Sequence, residues 1–190
     1  MKKTVIKFGL ISGGIMAVLM LATMPFVYKI GFDYGMVVGY SSMLLAFIMI
    51  FLGIRSYRDT VLNGYITFKR ALAVGLLITL ISTVCYVIAW EFVYYNFLPD
   101  FADQYTNYLV QNLQKSGATA QQIAQKTEEI DNMKAILENP IYNALVAFTE
   151  PLPVGLVISI VSAWILRRRP NEQERLASAA GGPAVSTVEH

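Results

Sequence analysis

The chain has 190 residues, 55% of them hydrophobic, a formal charge of +2 and a mean hydropathy of +0.50. That apolar balance argues against a soluble domain of this length. One cysteine, Cys85, allows no intrachain disulfide, and one histidine, His190, argues against a histidine-built catalytic or metal site.

A bilayer core about 30 Å thick takes roughly 20 apolar residues of helix to cross. The first block, Phe8 to Tyr28, carries no charge. Lys2 and Lys3 ahead of it look like the start of a signal peptide. The apolar run is too long for one and no small-x-small cleavage site follows, so the block is expected to be retained. Tyr34 to Ile54 and Ala71 to Trp90 are also uncharged, and Pro140 to Leu166 carries one charge, Glu150.

The expected fold is all-α, an integral membrane four-helix bundle with spans at about 8–28, 34–54, 71–92 and 140–166. An extracytoplasmic helical hairpin, about 96–139, would separate the last two spans. Residues 1–169 then form one membrane domain, and 170–190, rich in Ala, Gly and Ser, a disordered cytoplasmic tail.

Lys and Arg set the orientation. Lys2, Lys3 and Lys7 precede block one; Arg55, Arg58, Lys69 and Arg70 lie between blocks two and three; Arg167, Arg168 and Arg169 follow block four, with Arg175 soon after. The other side has Lys29, and Lys115, Lys126 and Lys134 diluted by six carboxylates such as Asp100 and Glu138. Both termini and the loop between blocks two and three are therefore expected to be cytoplasmic. Tyr28, Tyr34, Trp90, Tyr94, Tyr95 and Phe97 would lie near the outer interface, and Tyr57, Tyr65 and Trp164 near the inner one.

Within the exported segment Asp100 after Pro99 reads as an N-cap. Phe101, Tyr105, Tyr108, Leu109 and Asn112 then recur at helical spacing, and Lys115-Ser116-Gly117 ends that helix. Thr119 with Gln122 is a capping box for a second helix, whose apolar stripe is Ile123, Ile130, Met133 and Leu137. Asn139-Pro140 closes it. Such a hairpin packs its apolar faces on itself and on the membrane, or offers a surface to a protein partner.

Block four holds the residue of most interest. Glu150 precedes Pro151, and Pro153 follows. Each proline lacks an N–H for the carbonyl four residues back, and the residue before a proline avoids helical angles. A helix break is expected there, with Glu150 in the outer leaflet. Glu91, near the end of block three, falls at a similar height. The two carboxylates with the freed carbonyls could form a cation or proton site at a discontinuous helix. Alternatively Glu91 reaches the interface, Glu150 hydrogen-bonds to a neighbouring helix, and Lys29 pairs with either.

Small residues recur every fourth position: Gly9, Gly13 and Ala17; Gly35 and Gly39; Gly155, Ser159 and Ala163. That spacing lets membrane helices approach closely, here within the bundle. Arg55 and Arg58 set topology and are candidate contacts for lipid head groups or a cytoplasmic partner.

Two stretches resemble a known family. Gly53-Ile54-Arg55-Ser56-Tyr57-Arg58 followed by Gly64-Tyr65-Ile66-Thr67-Phe68 is similar to the inner loop of the bacterial "domain of unknown function 4199" membrane proteins. Asn139-Pro140, Phe148-Thr149-Glu150 and Pro153-Val154-Gly155-Leu156 resemble their last helix. The resemblance would span about residues 3–169. It implies a four-helix inner-membrane protein in which Glu150 and the Arg55/Arg58 loop belong to the recurring pattern, and it implies no activity.

No Ser/His/Asp set, HExxH or Cys/His cluster occurs. The expectation is a non-enzymatic scaffold or accessory subunit with no cofactor, metal or nucleic-acid partner. Its partners would be the lipid bilayer and a protein at the hairpin. The alternative is a small ion- or proton-coupled transporter using Glu150 and Glu91.

Overall fold

A computed structural model of the chain describes residues 1–168. The tail expected to be disordered, with Arg169 and Arg175 of the positive cluster, lies outside the described residues. Every named element is a helix. The first span begins with α1 (Lys2–Thr23) and passes through a 3-10 turn at Met24–Phe26 into α2 (Val27–Ile30). The expected first span thus runs from Lys2 to Ile30 and tightens at this turn, because Pro25 has no N–H for the carbonyl of Leu21. Gly31, at φ +89°, ends the span in a backbone region that glycine adopts without strain.

α3 (Phe32–Val61) and α4 (Phe68–Phe97) each run 30 residues. At 1.5 Å per residue each is about 45 Å long, so both outreach the apolar blocks that nucleate them. Between them Gly64, at φ +87°, turns the chain, and Thr67 accepts a hydrogen bond from the Arg70 N–H to start α4. α5 (Phe101–Lys115) and α6 (Ala120–Glu138) pack on each other as the hairpin. The capping box of Thr119 and Gln122 is formed. Asp100 does hold the N-cap position of α5, but its side chain makes no capping bond. Asn139 caps α7 (Pro140–Thr149) through the N–H groups of Ile141 and Tyr142, and α8 (Pro151–Leu166) completes the fourth span.

The break at Glu150 is milder than the two prolines suggest. The helix divides there, yet Glu150 keeps right-handed helical angles (φ −65°, ψ −49°) instead of turning extended. Pro151 takes the first position of the new helix, where a missing N–H costs nothing.

α4 is the centre of the bundle, packed against α1, α3, α7 and α8. Small residues set those approaches. A Cβ on Gly13 would lie 2.4 Å from Cys85 Cβ, and one on Gly155 would lie 2.2 Å from Thr79 Cγ2. Gly9 and Gly75 are as tightly faced, by Ile81 and Ser159. The expected intramolecular use of small residues therefore holds for the first and fourth spans. It does not hold at Gly39, whose added Cβ would meet nothing within 4 Å. Hydroxyls tie the close backbones: Ser12 donates to the Ala46 carbonyl at 3.0 Å, and Ser82 to the Gly9 carbonyl at 3.2 Å. Lipid tails give helices no hydrophobic reason to associate, so close packing and such bonds carry the association.

Two buried clusters result. The larger holds Phe47, Ile50, Ile54, Val74 and Ile78, and the smaller, nearer the hairpin, holds Met20, Trp90, Val93, Tyr94 and Leu98. Trp90 and Tyr94 were expected at the outer interface, but they are buried because α5 brings Phe101 against them. On the outside the apolar surface is continuous: Val18, Val37, Ile88 and Val157 are each at least 60% exposed. A surface of that kind needs lipid around it.

At the end away from the hairpin the chain closes with a single antiparallel bridge, Ile66 to Arg168, with both N–H···O distances 3.0 Å. Arg58 sits beside it, 2.6 Å from Asp59 and 3.5 Å from the Leu166 carbonyl, while Arg55 reaches Asp59 at 3.7 Å and stays 60% exposed.

Candidate functional site

The hairpin end of the bundle does not close. Below α5 lies a cavity of about 390 Å³, within the range that small-molecule sites occupy. Its shape follows from the local sequence. The break at Pro25 brings Met24 and Val27 into the wall, Val27 closely facing Gly35 of α3, and the open flank at Gly39 leaves space that a larger residue would fill. Five of the eight methionines, Met16, Met20, Met24, Met36 and Met43, line it. Methionine is unbranched and polarizable, so such a wall adapts to the shape of what it holds.

Aromatic residues form the cap. Phe32 packs edge-on to Phe101 and Tyr105 at 5.7 and 5.4 Å, and Trp90 edge-on to Phe101 at 5.4 Å. Phe101 and Tyr105 stack at 5.7 Å, one turn apart on α5, as their spacing in the sequence anticipates. Tyr108 donates to Asp33 at the start of α3, pinning the hairpin to the first loop. Of the second hairpin stripe, Ile130 and Leu137 are buried, but Met133 is exposed, so the stripe is narrower than the periodicity implies.

Glu150 is the one carboxylate in the cavity lining. Tyr86 of α4 donates to it at 2.7 Å. Tyr105 lies close enough that the Glu150 charge, after burial, helps hold its phenol above the usual range. Glu91 is not in the lining. It sits one residue beyond Trp90 on α4, about 100° round the helix, and its Oε1 is buried with no hydrogen-bond partner among the described residues. The two carboxylates singled out in the sequence therefore face different surroundings. Among the described residues Lys29 makes no ion pair with either, and its ammonium lies 6.0 Å from the Phe26 ring. Of the two prolines expected to break the helix, Pro151 is buried and Pro153 exposed.

Other polar residues of the site escaped the sequence reading. Trp90 Nε1–H donates to Asn143 Oδ1 at 2.7 Å, and the Asn143 amide donates to the Leu137 carbonyl at 3.0 Å. Asn143 is 1% exposed, and this chain of bonds locks α4, α7 and the end of α6 together behind the cavity. The available signal was an asparagine near the start of an otherwise apolar helix; Tyr86 and Trp90, four apart on α4, were the other.

The fold is all-helical, with four helices long and apolar enough to cross a bilayer set round a cavity at one end, the class of a multi-span membrane protein by length and composition. The chain belongs to the family described as Protein of unknown function (DUF4199), which matches residues 7–168. No curated protein and no solved structure matches it.

Proposed function

We propose that the protein is a non-enzymatic accessory or scaffold protein of a bacterial inner membrane, with both termini cytoplasmic and the α5–α6 hairpin exported to meet a protein partner. The separation of Glu91 from Glu150 carries this reading. A carboxylate-pair mechanism, catalytic or ion-coupled, needs both groups at one site, and here one lines the cavity while the other lies outside it. The orientation is supported by Lys2, Lys3, Lys7, Arg55, Arg58, Arg167 and Arg168 gathering at the end opposite the hairpin. The docking role is supported by Met133 and Ile136, three apart on α6 and each at least 40% exposed. Purification from native membranes tests it. A partner should accompany the unmodified chain and the Glu150→Gln variant, and should be lost from the Met133→Glu, Ile136→Glu double variant. Recovery of this chain alone would contradict the proposal.

The second reading, a small ion- or proton-coupled transporter, draws on the Glu150 cavity and asks Glu91 to act from a separate position. It expects Glu150→Gln to abolish flux in reconstituted vesicles without loss of folding; unchanged flux would remove it.

A further inference from the structure

Glu150 presents a puzzle of charge. It lies at the head of α8, about 24 Å of helix from Leu166 by the rise per residue. In an apolar core about 30 Å thick that distance leaves it in the outer part, exposed on the open cavity, where a charge costs less than at the centre but still gains from an answering group. Among the described residues it forms no ion pair, and its one hydrogen-bond partner is the Tyr86 hydroxyl. The space it faces could hold a body much larger than a bare metal ion, and its one carboxylate stands among neutral hydroxyls (Thr23, Ser42, Thr149 and the tyrosines), methionines and rings, a weak set for a hard cation that favours several charged oxygens.

The rings are arranged usefully. Tyr40, Tyr86, Trp90, Phe101 and Tyr105 all line the same cavity as the carboxylate. Aromatic faces attract cations, most strongly where water is scarce. The cavity also has a sideways entrance. α3 packs on α8 but scarcely touches α7, and Met36 and Tyr40 on that flank of α3 are each 47% exposed. That gap would open a path to Glu150 for a molecule dissolved in the bilayer, without passing the hairpin cap.

We infer that this cavity binds a hydrophobic organic cation, an amine or quaternary ammonium with an apolar body, whose charge is answered by Glu150 and the surrounding rings while its body lies on the methionines. An anion is excluded by the sign of the site, and a neutral acyl chain would leave the carboxylate unanswered. The inference is independent of any partner at the hairpin, so the two proposals fail separately.

The test uses the full chain in phosphatidylcholine nanodiscs, with Trp164→Phe as background so that Trp90 in the cavity wall is the sole tryptophan. The probe is benzyltrimethylammonium, and its neutral isostere neopentylbenzene is the control. The cation should change Trp90 fluorescence saturably and the neutral compound should not. Glu150→Gln should weaken the cation roughly tenfold or more, the loss expected when the opposite charge is removed from a water-poor site. Gly39→Leu, which puts a side chain into the open flank, should abolish binding with the carboxylate still present, and Glu91→Gln should bind as the parent does. Thermal unfolding of each variant separates a lost fold from a lost site. No saturable response in the folded parent, equal binding of the neutral isostere, or undiminished affinity in folded Glu150→Gln would each overturn the inference.

Discussion

The two ends of this bundle are built from the same four helices in opposite ways. Toward the arginine-rich end, α1, α4 and α8 meet across Gly9, Gly75 and Ser159, backbones almost touching, and the loop after α3 is bridged to the end of α8. Toward the hairpin end, methionines and aromatic rings hold the helices apart, α1 is broken by a proline, and a separate helix supplies the lid. Close packing leaves no room for a ligand and the splayed end leaves room for one. If the proposed function holds, it belongs to the hairpin end, and the other end fixes the frame.

Substitutions can break or sharpen that contrast. The largest effect is expected at Trp90, which joins the cap to α7. Trp90→Ala should lower stability by about 3 kcal/mol or more, as truncation of a large buried ring does. Trp90→Phe should lose less, about 1–2 kcal/mol, mostly from the orphaned Asn143 carbonyl oxygen. Thermal unfolding in detergent measures both, and equal losses would mean that the indole hydrogen bond does not matter. In the close-packed half Gly155→Leu drives a side chain into Thr79 and should cost about 1–3 kcal/mol through overpacking. Asn139→Ala removes the cap of α7 and should cost about 1 kcal/mol. The smallest change has the opposite sign. Gly39→Ala enters open space in a helix and should stabilise by up to about 1 kcal/mol. If Gly155 and Gly39 respond alike to a larger residue, the contrast between the two ends is wrong.

The sequence made the frame legible because lipid imposes simple rules. Three uncharged runs, and a fourth charged only at Glu150, marked the four helices long and apolar enough to cross a bilayer, and the Thr119–Gln122 capping box and the Asn139-Pro140 stop marked the two ends of α6. Periodicity also placed Phe101, Tyr105 and Tyr108 on one face of α5. What it could not give was the partner of that face. Phe32 comes from the start of α3 and Trp90 and Tyr94 from the far end of α4, and their meeting with α5 depends on how the helices splay. Interface aromatics and core aromatics have the same composition, so Trp90 and Tyr94 were placed at the lipid boundary. Height along a helix was readable for Glu91 and Glu150, but rotation about the axis relative to a cavity was not. Pro151 and Pro153 signalled a break, and the surrounding bundle held Glu150 in helical angles nonetheless.

The account stands on the hairpin and the arginine-rich end lying on opposite sides of a bilayer. Single cysteines in a Cys85→Ser background, at exposed Asn112 on α5 and exposed Thr60 near the end of α3, read that directly with a membrane-impermeant maleimide. Intact cells should label position 112 and spare position 60 until the membrane is permeabilised. Labelling of position 60 with protection of 112, or equal labelling of both, would contradict it.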